Sequence, residues 1–487
     1  MLRKILVANR GEIALRVIRA CREMGIPSVA VFSEADRDAP HVGEADEAVG
    51  IGPAAPAASY LNIPRLVEAA RALKCDAVHP GYGFLSENPD FAGAVAKAGM
   101  AFIGPSPEVM RRMGDKLGAR RLMHEAGLPV APGSLAATED PGVLLRDARK
   151  AGFPVMLKAA RGGGGRGIRT IADAAALLRA VPLAAAEARK AFGAGALYVE
   201  KRIFPARHVE VQVLGDAHGN LIHLGERECS IQRRHQKLLE ETPSPALDSA
   251  TRKALCEAAV RGARAVGYRN AGTLEFLLDA KGAFHFMEMN LRIQVEHAIT
   301  ELVTGIDLVQ AQIRVASGGR LGLSQADVRS RGAAMEARIC AEDPDAGFLP
   351  STGTVTRADF PGGPFVRVDG ALRPGMTVAL HYDSLIAKLS VWAPTRQEAL
   401  RRLQATLRGC RIDGVRTTLP VLDAVAACRD FRTGRYHTGT LEGMKLSPPA
   451  KAEILAAVLA AVLSAEAARK APALIPPPSA SRWRVRR

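Results

Sequence analysis

The chain has 487 residues, 48% of them hydrophobic, and a formal charge of +16; this excludes disorder over most of the length and leaves room for about three domains. No run approaches the about 18 to 20 apolar residues of a membrane span, and the short apolar stretch near the N-terminus cannot serve as a signal-peptide core. Basic residues are dispersed rather than blocked and aromatic residues reach only 5%, so a nucleic-acid stacking surface is not expected.

Seven cysteines (Cys21, Cys75, Cys229, Cys256, Cys340, Cys410, Cys428) are scattered and never spaced CxxC, which points to reduced thiols in the cytoplasm and away from a zinc site. Lys4–Asn9 reads as a buried strand and Glu12–Met24 as an amphipathic helix. Ile26–Ser33, Ala45–Gly52, Asp76–His79 and Met100–Gly104 read as further strands, with a helix at Ile63–Lys74. Such alternation implies a doubly wound parallel α/β layer. The glycine-punctuated loop His79–Leu85 follows a strand, where sites in α/β sheets commonly form.

Met113–Lys116 opens a helix expected to run to His124. Val155–Ile171 then holds strand-formers around Gly162, Gly163, Gly164, Gly165 and Gly167. The glycines allow backbone amides to approach phosphates. No GK[ST] follows, so a hairpin lid over phosphates fits better than a P-loop, with Lys158 supplying a cation. Leu197–Lys201, His208–Leu214 and Leu221–Leu224 read as strands. The basic run Gln232–Lys237 is placed on a loop, and Ala246–Val266 on a helix.

Gly272–Leu278 and Ala283–Met289 read as paired strands around the turn Asp279–Gly282, so Glu275 and Glu288 can face one another. Two such carboxylates want a cation between them, and hard oxygen donors favour Mg²⁺ or Mn²⁺. If the extended backbone continues through FHFMEMNLRIQVEH, then Glu288, Asn290, Arg292, Gln294 and Glu296 share one face. That face would hold metal, phosphate and a small anion together. After a helix at Asp307–Ser317, a β-rich region starts at Ala334, ends in the helix Arg396–Leu407, and suggests a third, α+β domain. Beyond Ser447 the composition becomes Ala- and Pro-rich, with seven cations against two acids, read as a helix and a basic, Pro-rich end.

These segments together resemble biotin carboxylase, the ATP-grasp component of acyl-CoA and pyruvate carboxylases. The resemblance rests on ILVANRGEIALR, HPGYGFLSEN, MGDK, the glycine loop before Arg166, RHVEVQVLGD, ERECSIQRRHQK, GTLEF, MEMN, RIQVEH, EARICAEDP and YDSLIAKL, in family order over about residues 1–445. It implies an α/β and α+β multidomain fold: an N-terminal α/β domain (1–114), an ATP-grasp domain (115–333) with a mobile lid at about 131–203, a C-terminal α+β domain (334–446) and a tail (447–487). It implies nucleotide binding by Lys116, Lys158, Gly163, Gly164, Gly165, Glu200, Lys201, His208, Gln232, His235, Glu275 and Glu288, and metal binding by Glu275, Glu288 and Asn290. Lys237, Arg292, Gln294, Val295 and Glu296 would form the bicarbonate pocket, with Arg338 and Tyr82 toward biotin and Asp383 nearby. Glu296, Arg292, Arg338 and Lys237 would be catalytic.

The implied cofactors are ATP, Mg²⁺ (or Mn²⁺) and biotin on a separate carrier. The implied partners are a biotin carboxyl carrier protein or domain, a carboxyltransferase subunit and a second copy of the chain; neither membrane nor nucleic acid is among them. The expected reaction is carboxylation of carrier biotin by ATP and bicarbonate through carboxyphosphate, the first half-reaction of an acyl-CoA carboxylase of acetyl-, propionyl- or methylcrotonyl-CoA type. Four residues depart from the family pattern: Ala160 and Arg161 at the start of the glycine loop, Leu291 where Thr is usual, and Ala298 where Pro is usual. Arg161 and Leu291 leave open a nucleotide-binding pseudoenzyme or assembly subunit, and another ATP-grasp ligase is a further alternative. Gly443–Leu446 resembles a biotin-acceptor motif but lacks its second Met and surrounding hairpin.

Overall fold

In the computed structural model, residues 2–160, 167–444, 459 and 461–463 are described. Gly162–Gly165 and almost all of the tail, for which a lid loop and a helix are expected, lie outside them. The described chain forms one compact unit to Gly443. No described helix is long and apolar enough to cross a membrane.

The N-terminal layer is a parallel sheet of β1 (Ile5–Val7), β2 (Ser28–Ser33), β3 (Glu47–Gly52), β4 (Ala77–His79) and β5 (Ala101–Phe102), in the order β3-β2-β1-β4-β5. Its central strands β1, β2 and β4 are buried on both faces, as helices on each side demand; α1 (Gly11–Glu23) covers one face through Ile13, Val17 and Ile18. Helix formation around Met113 departs from expectation. Asp115 ends one helix at Gly114 and caps the next, Lys116–Glu125, accepting from the amide of Leu117. The break places Lys116 on the first turn of a new helix.

The lid is a three-stranded antiparallel sheet, with β6 (Val155–Ala159) between β7 (Ile168–Ile171) and β8 (Leu197–Lys201). Two helices the sequence pattern did not suggest, Pro141–Ala151 and Ala174–Phe192, cover it through Leu144, Leu177 and Val181.

The central sheet has eight antiparallel strands. They are β9 (Arg207–Gly215), β10 (Leu221–Arg233), β11 (Gln236–Thr242), β12 (Asn270–Leu278), β13 (Phe284–Asn290), β14 (Ala333–Cys340) and the strands Val366–Gly370 and Leu385–Ala393. From one edge the order runs β13-β12-β9-β10-β11-β14, then Leu385–Ala393 and Val366–Gly370. The expected third domain thus contributes its three long strands to the same sheet as the ATP-grasp strands, while its shorter strands pair in separate two-stranded sheets. One face carries Val209, Val211, Leu274 and Phe276, and packs on Leu255 and Ala259 of the helix Ser249–Ala265. The alternate residues on the other face are polar.

Two expectations are corrected. Leu221–Leu224 is only the beginning of β10, and the run Gln232–Lys237 is no loop. It ends β10 and starts β11 around a two-residue turn, Arg234 and His235, both with positive φ. And β13 stops at Asn290 rather than continuing to Glu296. The chain turns at 291–296 and enters the helix His297–Thr304, whose N-cap is Glu296.

Candidate active site

The polar face of the central sheet is built by period-two alternation in neighbouring strands. On β9, His208, Glu210 and Gln212 share a face. On β12, Glu275 stands directly across from Glu210, and on β13 Glu288 stands directly across from Glu275. On β10, Arg227 lies opposite Glu210. The side-by-side placement of Glu275 and Glu288 agrees with the sequence pattern; Glu210 and Arg227 were not anticipated.

Lys237 is the centre of the arrangement. Its ammonium donates to Glu210 Oε2 at 2.5 Å, Glu296 Oε1 at 2.7 Å and Glu275 Oε1 at 2.9 Å. Glu210 is held from behind by the fully buried Arg227, which also donates to Gln212, Thr273 and Thr300. A buried charge is tolerated only when paired and hydrogen-bonded, and here each partner of Lys237 has a second donor. Burial works to raise the pKa of Glu296, but Lys237, Arg338 and Arg227 overcome it and hold the carboxyl well below its ordinary range. Burial lowers and the three carboxylates raise Lys237, with a net shift well upward. Both groups are charged at neutral pH.

Arg338 closes the second side. It donates to Glu296 Oε2 at 2.9 Å and, through Nε, to Glu240 at 2.6 Å. The turn that replaces the extended strand still gathers the predicted anion-binding residues. Arg292 donates to Gln294 at 2.8 Å and Asn290 at 3.2 Å, and both amides donate to Glu275 Oε1. Glu87, which sequence reasoning missed, accepts from the amide of Leu291 at 2.7 Å and stands 3.5 Å from Arg292 Nε. Leu291 is buried in the apolar core beneath. The Val295 carbonyl accepts from the buried Lys388 at 2.6 Å. Tyr82 donates to Glu12, which pairs with Lys388 at 3.3 Å.

The nucleotide candidates divide. His208 stands 3.1 Å from Glu275 Oε2 and 2.7 Å from the Gln232 amide, so both join the cluster. Lys158 and Arg120 both engage Glu200 between the lid and the helix Lys116–Glu125; Arg120 is another residue not foreseen. Lys116 lies 3.6 Å from Glu288. Lys201 instead donates to the carbonyls of Gly152 and Phe153, and His235 is exposed on the β10–β11 turn without a side-chain hydrogen bond among the described residues. Asp383 is exposed and caps the amide of Leu385. Gly163, Gly164 and Gly165 fall outside the described residues.

The donor set suits a hard cation. Glu288 is raised by burial and by the adjacent Glu275 charge against the pull of Lys116, the condition of a carboxylate needing a positive partner. With Glu275 beside it, the carboxylate oxygens match Mg²⁺ or Mn²⁺, whereas the Asn290 oxygen is turned to Arg292 and its amide nitrogen to Glu275.

An antiparallel sheet whose polar face sets opposed carboxylates around a buried lysine, together with a three-stranded lid, defines an ATP-grasp ligase. Residues 1–110 match the family described as "Biotin carboxylase, N-terminal domain", residues 115–324 "Carbamoyl-phosphate synthase L chain, ATP binding domain", and residues 336–443 "Biotin carboxylase C-terminal domain". The chain is 52% identical over 443 residues to the biotin carboxylase of Nostoc sp., covering 91% of this chain and 99% of that one. The solved biotin carboxylase–ATP complex of Campylobacter jejuni is 46% identical with a TM-score of 0.88, over 91% and 99% of the two chains. The biotin carboxylase domain dimer of Hydrogenobacter thermophilus 2-oxoglutarate carboxylase, solved with MgADP, ADP and bicarbonate, is 49% identical with a TM-score of 0.86, over 91% and 97%. The chain belongs to the biotin carboxylase family, whose members carboxylate biotin with ATP and bicarbonate.

Proposed function

We propose that this site carries out the two steps of biotin carboxylation with the following division of roles, and that Glu296 is the general base. The observation supporting this most strongly is that Glu296 is fully buried and fixed between Lys237 and Arg338. Bicarbonate, bound by Arg292, Gln294 and the backbone near Val295, is a weak nucleophile that must approach an anionic phosphate. Lys237, Lys116 and Lys158 offset that repulsion. Magnesium held by Glu275, Glu288 and Asn290 would neutralise charge on the phosphates when bound.

As a bicarbonate oxygen bonds to the γ-phosphorus, the bond from that phosphorus to ADP breaks and the bicarbonate proton passes to Glu296. Glu296 is a weak base while clamped by two cations, so transfer is coupled to phosphoryl movement. The product carboxyphosphate breaks its C–O bond to give CO₂ and phosphate. Phosphate then takes the proton from biotin N1, Arg338 stabilises the resulting oxyanion of the ureido group, and N1 bonds to CO₂.

Biotin reaches the site on a biotin carboxyl carrier protein or domain. The carboxyl group then passes to an acyl-CoA on a carboxyltransferase subunit. The protein works as a homodimer in the cytoplasm, a setting in keeping with its free and mostly buried cysteines. Affinity capture of the biotinylated carrier, followed by transfer of labelled carboxyl to acetyl-CoA, propionyl-CoA, pyruvate or 2-oxoglutarate, tests the acceptor. Label on an acyl-CoA supports the proposal, and label only on a 2-oxo acid contradicts it.

A further inference from the structure

Behind Arg338 lies a second pair of carboxylates that the reaction as described does not use. Glu240 on β11 and Glu336 on β14 are directly opposed in the antiparallel register, and both are 0% exposed. On the far side of β14, Ser390 stands opposite Glu336 and Lys388 opposite Arg338. Glu240 Oε1 accepts from Arg338, and Glu336 Oε2 accepts from Ser390 at 2.7 Å. The remaining oxygens, Glu240 Oε2 and Glu336 Oε1, are buried without a hydrogen-bond partner among the described residues.

Two buried ionised carboxylates opposed in the register, each with an orphaned oxygen, are disfavoured, and a proton on one of them removes the repulsion and supplies a donor. The groups facing the pair leave a surplus of negative charge. Arg338 and Lys388 are the adjoining cations, Lys237 is committed to its own three carboxylates, and Glu296, Tyr82 and Cys229 supply no further positive charge. Burial, opposed by Arg338 and reinforced by Glu296 and Glu336, pushes Glu240 up to about 8. Burial, opposed mainly by Lys388, pushes Glu336 up to about 7.

We infer that Glu240 and Glu336 form a proton-sharing pair that positions Arg338 and leaves its positive charge free for the biotin oxyanion. The inference rests on the reading of Arg338 as the biotin-facing cation. While the proton is held, Arg338 has one full carboxylate behind it. When the proton is lost, a second negative charge draws the guanidinium back and weakens its hold on substrate. These are positioning residues, because neither touches the reacting atoms.

The test uses Glu336→Gln, which keeps the shape and removes the titration, with free biotin as substrate. In the unmodified protein the KM for biotin rises about fivefold between about pH 7 and about pH 9, the low end of an ordinary coupling between sites. In the variant that rise is lost, while the KM for ATP is unchanged at both pH values. Infrared difference spectra of the ligand-free protein provide a second readout. They show a protonated carboxylic acid at neutral pH that disappears at alkaline pH and is altered in both Glu336→Gln and Glu240→Gln. A pH profile of KM in Glu336→Gln superimposable on the unmodified protein, or an infrared spectrum without that band, overturns the inference. Absence of any biotin-dependent turnover in the unmodified protein would instead overturn the reading of Arg338, and leave the infrared result to decide the pair.

Discussion

Lys237 Nζ and Glu296 Oε1 lie 2.7 Å apart over the polar face of the sheet, and neither has access to water sufficient to stand alone. The pair joins the halves of the site, because the same ammonium contacts Glu275 on the metal side and Glu296 on the bicarbonate side.

Removing the base without removing its shape should separate binding from chemistry. Glu296→Gln is expected to lower kcat for biotin carboxylation by about 10²- to 10⁴-fold, the usual contribution of a general base, and to leave the KM for ATP within about twofold. Steady-state kinetics with varied ATP and biotin check this. An equal loss in ATP affinity would place Glu296 in nucleotide binding.

Lys237→Met leaves Glu210, Glu275 and Glu296 buried around a missing cation. Breaking a buried ion pair from one side costs about 3–5 kcal/mol, so the urea midpoint falls substantially and activity is lost. A midpoint unchanged from the parent protein would show that the three carboxylates do not depend on this ammonium.

The parts of this network differ in how readily the sequence disclosed them. Glu275 and Glu288 were legible because a tight turn at Asp279–Gly282 fixes the register of two alternating strands. Glu210 followed the same alternation as His208 and Gln212 and could have been found that way. The run Gln232–Lys237, which ends β10 and starts β11, was read as a loop because it is polar and basic, so a strand buried against a polar site lacks the apolar rhythm of a core strand. The end of β13 was not legible at all. Leu291 and Ile293 preserve period-two alternation through a turn whose stop is set by the helix beginning at His297. Glu240, Glu336 and Lys388 meet only through strand order in the sheet, which local spacing does not encode.

Leu291, the residue that departs from the family pattern, is 4% exposed among Tyr268, Leu274 and Met289. Leu291→Thr should lower stability by ~1–3 kcal/mol through lost apolar contact and a buried hydroxyl, with kcat within about twofold. Denaturant unfolding and kinetics check both halves. A large gain or loss in kcat would show that the position acts on Asn290 or Arg292 rather than on packing.

Stability should depend on pH in opposite directions at the two ends of the range. Glu275 and Glu296 have depressed pKa values in the folded protein, so the stability they provide is present above the usual carboxylate range and lost as pH falls through their folded values. Glu336 and Glu240 are raised to about 7 and about 8, so their contribution is full below about 4.5 and lost as pH rises through those values. The urea midpoint is therefore expected to peak on the acid side of neutrality and to decline toward about pH 9, with a smaller decline in Glu336→Gln. A midpoint still climbing above about pH 7 would contradict this.

The most direct test follows the oxygen atoms. With bicarbonate labelled in oxygen-18, attack on the γ-phosphorus places one bicarbonate oxygen on phosphorus, and decay of carboxyphosphate leaves it there. In the presence of biotin, the account predicts one labelled oxygen in each inorganic phosphate released, matched by one carboxybiotin formed. Phosphate carrying no label from bicarbonate would contradict it.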